Sequence, residues 1–304
     1  MQTLNKYLKN EYGRKLYKLA LDAGFSCPNR DGFISYGGCS FCSEAGSGDF
    51  AESNLSANET SRSIVSSTDI PDMIENAKTR LSKKFRPTEG EANYIAYFQS
   101  FTNTYAPVDK LRELYEAAIN HPDIAILSIA TRPDCVSDEV ISLIKELNKI
   151  KPVWIELGLQ TIRDDIASSF NRGYKTETYD DAVRRLNKAG IKVITHVILG
   201  LPNESEEDML LTIKHVIDMK SWGIKLQLLH LLKGTRMAKE YEENPFHILT
   251  FDEYLNLISK ANEIIPDDMV VHRLTGDGPR SLLIEPKWST DKKRVLNAIN
   301  KIIN

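Results

Sequence analysis

The chain has 304 residues, 41% of them apolar, which is enough to bury a sizeable core as one α/β barrel or a barrel with a small appended region and argues against disorder. Its 39 basic and 42 acidic residues give a formal net charge of -3, so no global excess of positive charge argues for nucleic acid and any such argument has to be local. The N-terminal MQTLNKYLKNEYGRKLYK is polar where a secretion signal needs an apolar run, and nothing later approaches the roughly 18 to 20 apolar residues of a membrane span; a soluble, cytoplasmic chain with no membrane partner is expected.

In chain order, KLYKLALDAG (15–24) reads as a first strand and is followed by three closely spaced cysteines. The stretch 54–69, rich in Ser, Thr and Asn, reads as an ordered loop or a mobile lid, and a helix is predicted over 70–85. From residue 93 onward, apolar runs alternate with stretches of helical period, the signature of repeated β-α units and a parallel sheet. The strands are NYIAYFQ (93–99), AILSIAT (125–131), VWIELGLQ (153–160), IKVITHVILG (191–200) and IKLQLLHLL (224–232), with helices over 108–120, 137–149, 176–189 and 205–221. Ser137, Thr176 and Ser205 are the expected caps, each followed by first-turn carboxylates that suit the positive end of the helix dipole. After residue 245 the pattern changes to a helix (250–264), a strand MVVHRL (269–274), a Gly/Pro turn and a final helix (290–303). The expectation is a (β/α)6 partial TIM barrel over 1–245 with a small C-terminal α/β extension, 246–304, packed on it. Loops at the C-terminal ends of the strands then share one face, where barrel active sites sit.

Cys27, Cys39 and Cys42 stand in CPNRDGFISYGGCSFC, and in a reducing compartment such clustering favours a metal site over disulfides. Thiolates ligate iron-sulfur clusters, and a spacing of two residues lets Cys39 and Cys42 reach one cluster. Three cysteines leave one iron of a cubane open for a ligand that reacts. Structural zinc is the alternative, but it wants a fourth ligand nearby and the next candidates are His121 and Cys135. Disulfide or inert thiols are the other.

The segment resembles the cluster loop of radical S-adenosylmethionine (SAM) proteins, in the branch whose first spacing is long. Within it the chain is similar, over nearly all of its length, to the YhcC/YtqA type, related to the catalytic subunit of elongator. Besides the cysteines, the likeness rests on YFQSFTNTYAP (97–107), ATRPD (130–134), ELGLQTIRDD (156–165), NRG (171–173), HVILGLPNE (196–204), LLHLLKGT (228–235) and RLTGDGPR (273–280). It implies a 4Fe-4S cluster on Cys27, Cys39 and Cys42, with SAM chelating the open iron through its amino and carboxylate groups. An electron donor such as flavodoxin or ferredoxin would drive its cleavage to a 5'-deoxyadenosyl radical.

The resemblance also implies site residues. Phe41 matches the aromatic that flanks the adenine, although it equally suits packing. Gln99 and Ser100 end a strand where relatives place a polar turn against the cofactor amino group. Gln160 and Arg172 match a Gln and an Arg that hold the cofactor, and the planar guanidinium suits a carboxylate. Glu156, an acid among apolar residues, points into the barrel or is paired, because burying it alone is costly. Two positions depart from the wider pattern: His196 stands where relatives carry a ribose-binding Asp, and Ala130 where a strand often ends in Glu. Cys135, on a loop expected at the active face, is a candidate hydrogen donor or an ordinary buried thiol.

For substrate, local basic clusters stand at Lys6, Lys9, Arg14, Lys15 and Lys18, at Arg80, Lys83, Lys84 and Arg86, and at Lys287, Lys292, Lys293, Arg294 and Lys301. Phosphate binding requires such patches, yet charge runs are more often solvated faces. The resemblance points to tRNA as partner and to its wobble uridine, with carboxymethylaminomethyluridine converted to aminomethyluridine; elongator's acetyltransferase region has no counterpart here. The alternatives are radical chemistry on a small molecule or protein, and a non-catalytic iron-sulfur protein for electron transfer or redox sensing.

Overall fold

A computed structural model of the chain describes residues 1–44, 46, 51, 63–82, 91–276 and 278–303. Most of the polar run at 54–69 lies outside them, as do the end of the helix expected over 70–85 and Lys83, Lys84 and Arg86. The chain opens with β1 (Gln2–Thr3) and α1 (Leu4–Tyr12), then runs β2 (Tyr17–Leu21), α2 (Ile70–Ser82), β3 (Tyr94–Phe98), α3 (Val108–Ile119), β4 (Ile124–Thr131) and α4 (Asp138–Leu147). It continues through β5 (Val153–Gln160), α5 (Asp164–Ser169), α6 (Thr176–Lys188), β6 (Lys192–Leu199), α7 (Glu206–Asp218) and β7 (Gly223–Leu228). The last elements are β8 (Leu231–Leu232), α8 (Arg236–Glu243), α9 (Phe251–Ile264), β9 (Val270–Arg273), β10 (Leu283–Glu285) and α10 (Lys292–Ile303).

Eight strands form one curled half-barrel sheet in the order β1-β9-β7-β6-β5-β4-β3-β2, with every adjacent pair parallel. Parallel neighbours need crossover connections, and helices on the outer face supply them; the strands, covered on both sides, therefore read as near-continuous apolar runs. Six of these strands stand where the sequence pattern places them. The strand expected over 269–274 is β9, which joins this sheet beside β7 rather than standing apart from it, with Val270 and Val271 buried against the floor. A four-residue run carries too little pattern to say which sheet receives it.

The N-terminal helix was not expected, because its stripe of Leu4, Tyr7 and Leu8 is short and its other positions are charged or polar. Thr3 caps it by accepting from Lys6 N at 3.3 Å, and Gly13 ends it in the left-handed region at φ 67°. Tyr7 then packs edge-on against Trp154 and Trp222, which with His272 close the bottom of the barrel. Ser137 and Ser205 cap α4 and α7 as expected. Thr176 does not cap α6: Lys175 occupies that position and the Thr176 hydroxyl turns instead to Asp164 at 2.8 Å.

Candidate active site in the barrel mouth

A cavity of about 720 Å³ runs from the cysteine loop down into the barrel, and Cys27, Cys39 and Cys42 all line it. The loop that carries them is folded on itself. Cys27 O accepts from Arg30 N at 2.8 Å, and Cys39 O from Cys42 N at 3.0 Å, so the two-residue spacing makes a turn that brings those sulfurs side by side. Their hydrogen bond lowers the Cys39 thiol to about 7, aided by the Arg132 charge, by Asn29 and by Arg172 against the effect of burial, and holds Cys42 well above its ordinary value.

The NRG motif is the strut of this loop. Asn171 Nδ2 donates to Gly38 O and Ser35 Oγ, both at 3.0 Å, Asn29 Nδ2 donates to Asn171 O and lies 3.7 Å from Cys39 Sγ, and Ser40 N donates to Phe170 O at 2.9 Å. Gly173, at φ 82°, could not carry a Cβ, which would stand 2.8 Å from Asn29 Oδ1.

Arg172 is 1% exposed and all five of its N–H groups are engaged within the chain. Its Nε donates to Tyr174 O, Nη1 to Leu159 O and Thr161 O, and Nη2 to Asp164 Oδ1 and Thr176 Oγ1, at 2.6 to 3.3 Å. Arg172 thereby fastens the end of β5 to the strut, and it lines the same cavity as Gln160. Arg132, which forks onto Asp134 at 2.7 and 2.9 Å, covers the Tyr174 ring together with Arg172.

Phe41, Gln99, Gln160, Glu156 and His196 all line the cavity. Phe41 also packs on Phe170 with centroids 5.3 Å apart. Gln160 takes φ 64° at the end of β5 and Phe101 φ 60° beyond β3, so two strained non-glycine residues stand at the mouth, where such strain gathers in functional sites. Ser100 and Cys135 do not line the cavity. Ser100 is buried behind the wall, and the Cys135 thiol faces Asp134 at 3.8 Å and is kept as S–H by burial.

Glu156 is fully buried and paired. Lys18 Nζ (2.6 Å) and Ser128 Oγ (2.8 Å) donate to one carboxylate oxygen, and His196 Nε2 (2.7 Å) and Lys225 Nζ to the other. Despite burial, those partners keep its carboxyl well below the usual range, while burial and the Lys225 charge lower His196 to about 4. His196 is therefore neutral at pH 7 and donates through Nε2. Lys225 and Tyr97 were not singled out from the sequence, and Lys18 only as one of a basic cluster. The signal was there in Lys225, a lysine inside the apolar run IKLQLL, just as Glu156 stands inside VWIELGL.

The Radical SAM superfamily model matches residues 27–216, more than half of the chain, and the Radical_SAM C-terminal domain model matches 221–304. The chain belongs to the radical SAM superfamily. It is 48% identical over 299 residues to YtqA of Bacillus subtilis (strain 168), covering 98% of this chain and 88% of that one. A tRNA uridine(34) acetyltransferase of Methanocaldococcus jannaschii is 26% identical over 162 residues, 52% of this chain and 29% of that one. Among solved structures, the fold is similar to archaeal Methanocaldococcus infernus Elp3 with TM-score 0.65 and 21% identity, covering 77% of this chain and 59% of that one.

The radical SAM family uses a 4Fe-4S cluster and SAM, and the residues present fit both. A single zinc ion, at about 2.3 Å from each sulfur, would hold three thiolates within about 4.6 Å of one another. Among the described residues, the one group of three ligand types gathered within 4.8 Å is Glu75, His121 and Asp123, not the cysteines. The three thiols share one cavity wall with two guanidiniums close to Cys39, as an anionic cluster requires. Among the described residues, no helix is long and apolar enough to cross a membrane.

Proposed function

We propose that the chain is a radical SAM enzyme acting on the wobble uridine of tRNA, converting carboxymethylaminomethyluridine to aminomethyluridine. The observation that carries this reading is the continuity of one cavity from the three cysteines into the barrel, with eight Lys and Arg side chains and one carboxylate, Glu156, in its lining; Arg132 and Arg172 are paired with Asp134 and Asp164 outside it. A lining of that composition suits an anionic substrate. The likeness to a tRNA uridine(34) acetyltransferase supports the choice of RNA and of the wobble position.

With cluster and SAM bound, one-electron reduction would supply a 5'-deoxyadenosyl radical that abstracts hydrogen from the carboxymethyl carbon; loss of one electron from the substrate radical back to the cluster and addition of water to the resulting imine would then free the amine and release the two-carbon fragment as glyoxylate. In this reading Cys27, Cys39 and Cys42 hold the cluster, and the Asn171–Gly173 strut fixes their loop. Phe41, Gln99 and Gln160 shape the cofactor's wall, and Glu156 with His196 organises the interior. The reductant is a small electron carrier of the flavodoxin or ferredoxin kind.

Two measurements test the reading. Anaerobically reconstituted protein is expected to form 5'-deoxyadenosine under reducing conditions and Cys39→Ala to lose its iron; no cleavage by the wild type overturns catalysis. In a deletion strain, tRNA nucleoside mass spectrometry is expected to show carboxymethylaminomethyluridine accumulating, and unchanged wobble uridines overturn the tRNA substrate.

A further inference from the structure

We propose that the mid-barrel layer around Lys18 and Lys225 is a binding site for a monoanionic carboxylate on the substrate, an inference that rests on the reading of the cavity as a substrate site and names the group it receives. Lys18 comes from β2, Tyr97 from β3, Ser128 from β4, Glu156 from β5, His196 from β6 and Lys225 from β7, so six consecutive strands of the barrel contribute to one layer.

Within that layer donors outnumber acceptors. Both oxygens of Glu156 are filled by two donors each, and two lysine amines share its one negative charge. His196 is neutral and offsets nothing. Burial, with Lys18 and Arg273 nearby, holds Lys225 well below the usual lysine range although Glu156 favours its charged form, so a second anion in this layer would favour protonating it. Lys225 commits two of its three N–H groups, to Glu156 and to Tyr97 Oη at 3.0 Å, and Lys18 one of its three. Hydrogen-bonding capacity therefore remains on both lysines.

The way in is open. Two residues further along β2, β4 and β5 stand Ala20, Ala130 and Gly158, and all three line the cavity. Ala20 and Ala130 leave room on the way from the cysteine mouth to the charged layer, while the space beside Gly158 is taken by the Gln160 side chain. At about 3.3 Å per residue, Glu156 lies roughly 13 Å below Gln160 at the strand end, a distance that an extended substituent spans. The N–H groups left on the two lysines match the two oxygens of a planar carboxylate.

The test uses the cluster-loaded full chain with SAM bound, titrated anaerobically by calorimetry with N-methylglycine, with its neutral methylamide and with inorganic phosphate. N-methylglycine is expected to bind at least about tenfold more tightly than the amide or phosphate. Lys18→Met is expected to lose about tenfold or more, and Lys18→Arg, which keeps the charge, to stay within about threefold of the wild type. Equal binding of acid and amide, a preference for phosphate, an unaffected Lys18→Met, or equal losses in Lys18→Arg and Lys18→Met would each overturn the assignment. No RNA enters this titration, so its result stands apart from the fate of the tRNA substrate.

Discussion

Two buried ionic groups sit less than one barrel height apart and differ in kind. At the mouth, Arg172 has every N–H engaged, three of them by backbone carbonyls, and its countercharge Asp164 is 43% exposed. In the interior, Glu156 is saturated but its partners are not, because two lysines and a neutral histidine share one carboxylate. A completed set of bonds fixes geometry; an uneven set holds affinity in reserve. The arginine expected to bind cofactor thus also fastens the end of β5, whereas the acid expected to be a site or a partner organises the barrel interior.

The sharpest way to break this contrast is Arg172→Met. It strands the carbonyls of Thr161 and Tyr174, each worth about 1–3 kcal/mol when unsatisfied, while Leu159 O keeps its bond from Thr161 N, so a loss of roughly 4 kcal/mol in denaturant unfolding is expected, with iron loading falling as the strut loosens. Glu156→Gln comes next: it leaves the two lysines without their counterion and is expected to cost about 3 kcal/mol at pH 7 by the same measurement. A Glu156→Gln variant as stable as the wild type would show that the interior charges are not coupled.

The pH dependence of stability sharpens the picture further. His196 takes up a proton near pH 6.5 when unfolded but only at about 4 when folded, so stability is full above pH 6.5 and falls as pH drops through that window, by about 1.4 kcal/mol per unit. His196→Asn, which keeps a donor for Glu156, is expected to remove that part of the slope; buried His272, also lowered, leaves a remainder. The acid limb of Glu156 lies lower still, because its carboxyl is held below the usual range. The smallest effect is expected for Cys135→Ser, within about 0.5 kcal/mol and with unchanged iron content, since this thiol neither lines the cavity nor meets the other cysteines.

Much of this molecule is legible along the chain. The β-α period marked six strands of the sheet because parallel strands buried on both faces must be continuously apolar, and the cysteine spacing marked the metal loop because two intervening residues form one turn. The short elements were not legible: α1, α5, α8 and the sheet position of β9 are each too brief for periodicity to distinguish from loop.

What the sequence determined by itself is therefore the repeated β-α architecture, the cysteine ligands and the presence of an acid inside an apolar run. Only the tertiary structure decided what those polar residues do. Lys18 and Glu156 are 138 positions apart and Glu156 and Lys225 69, and it is barrel closure that turns all three inward at one height. The three carbonyls around Arg172 come from its own stretch of chain, which folds back on itself after β5. Charge balance and hydrogen-bond saturation are properties of the folded arrangement, which the order of residues along the chain does not reveal.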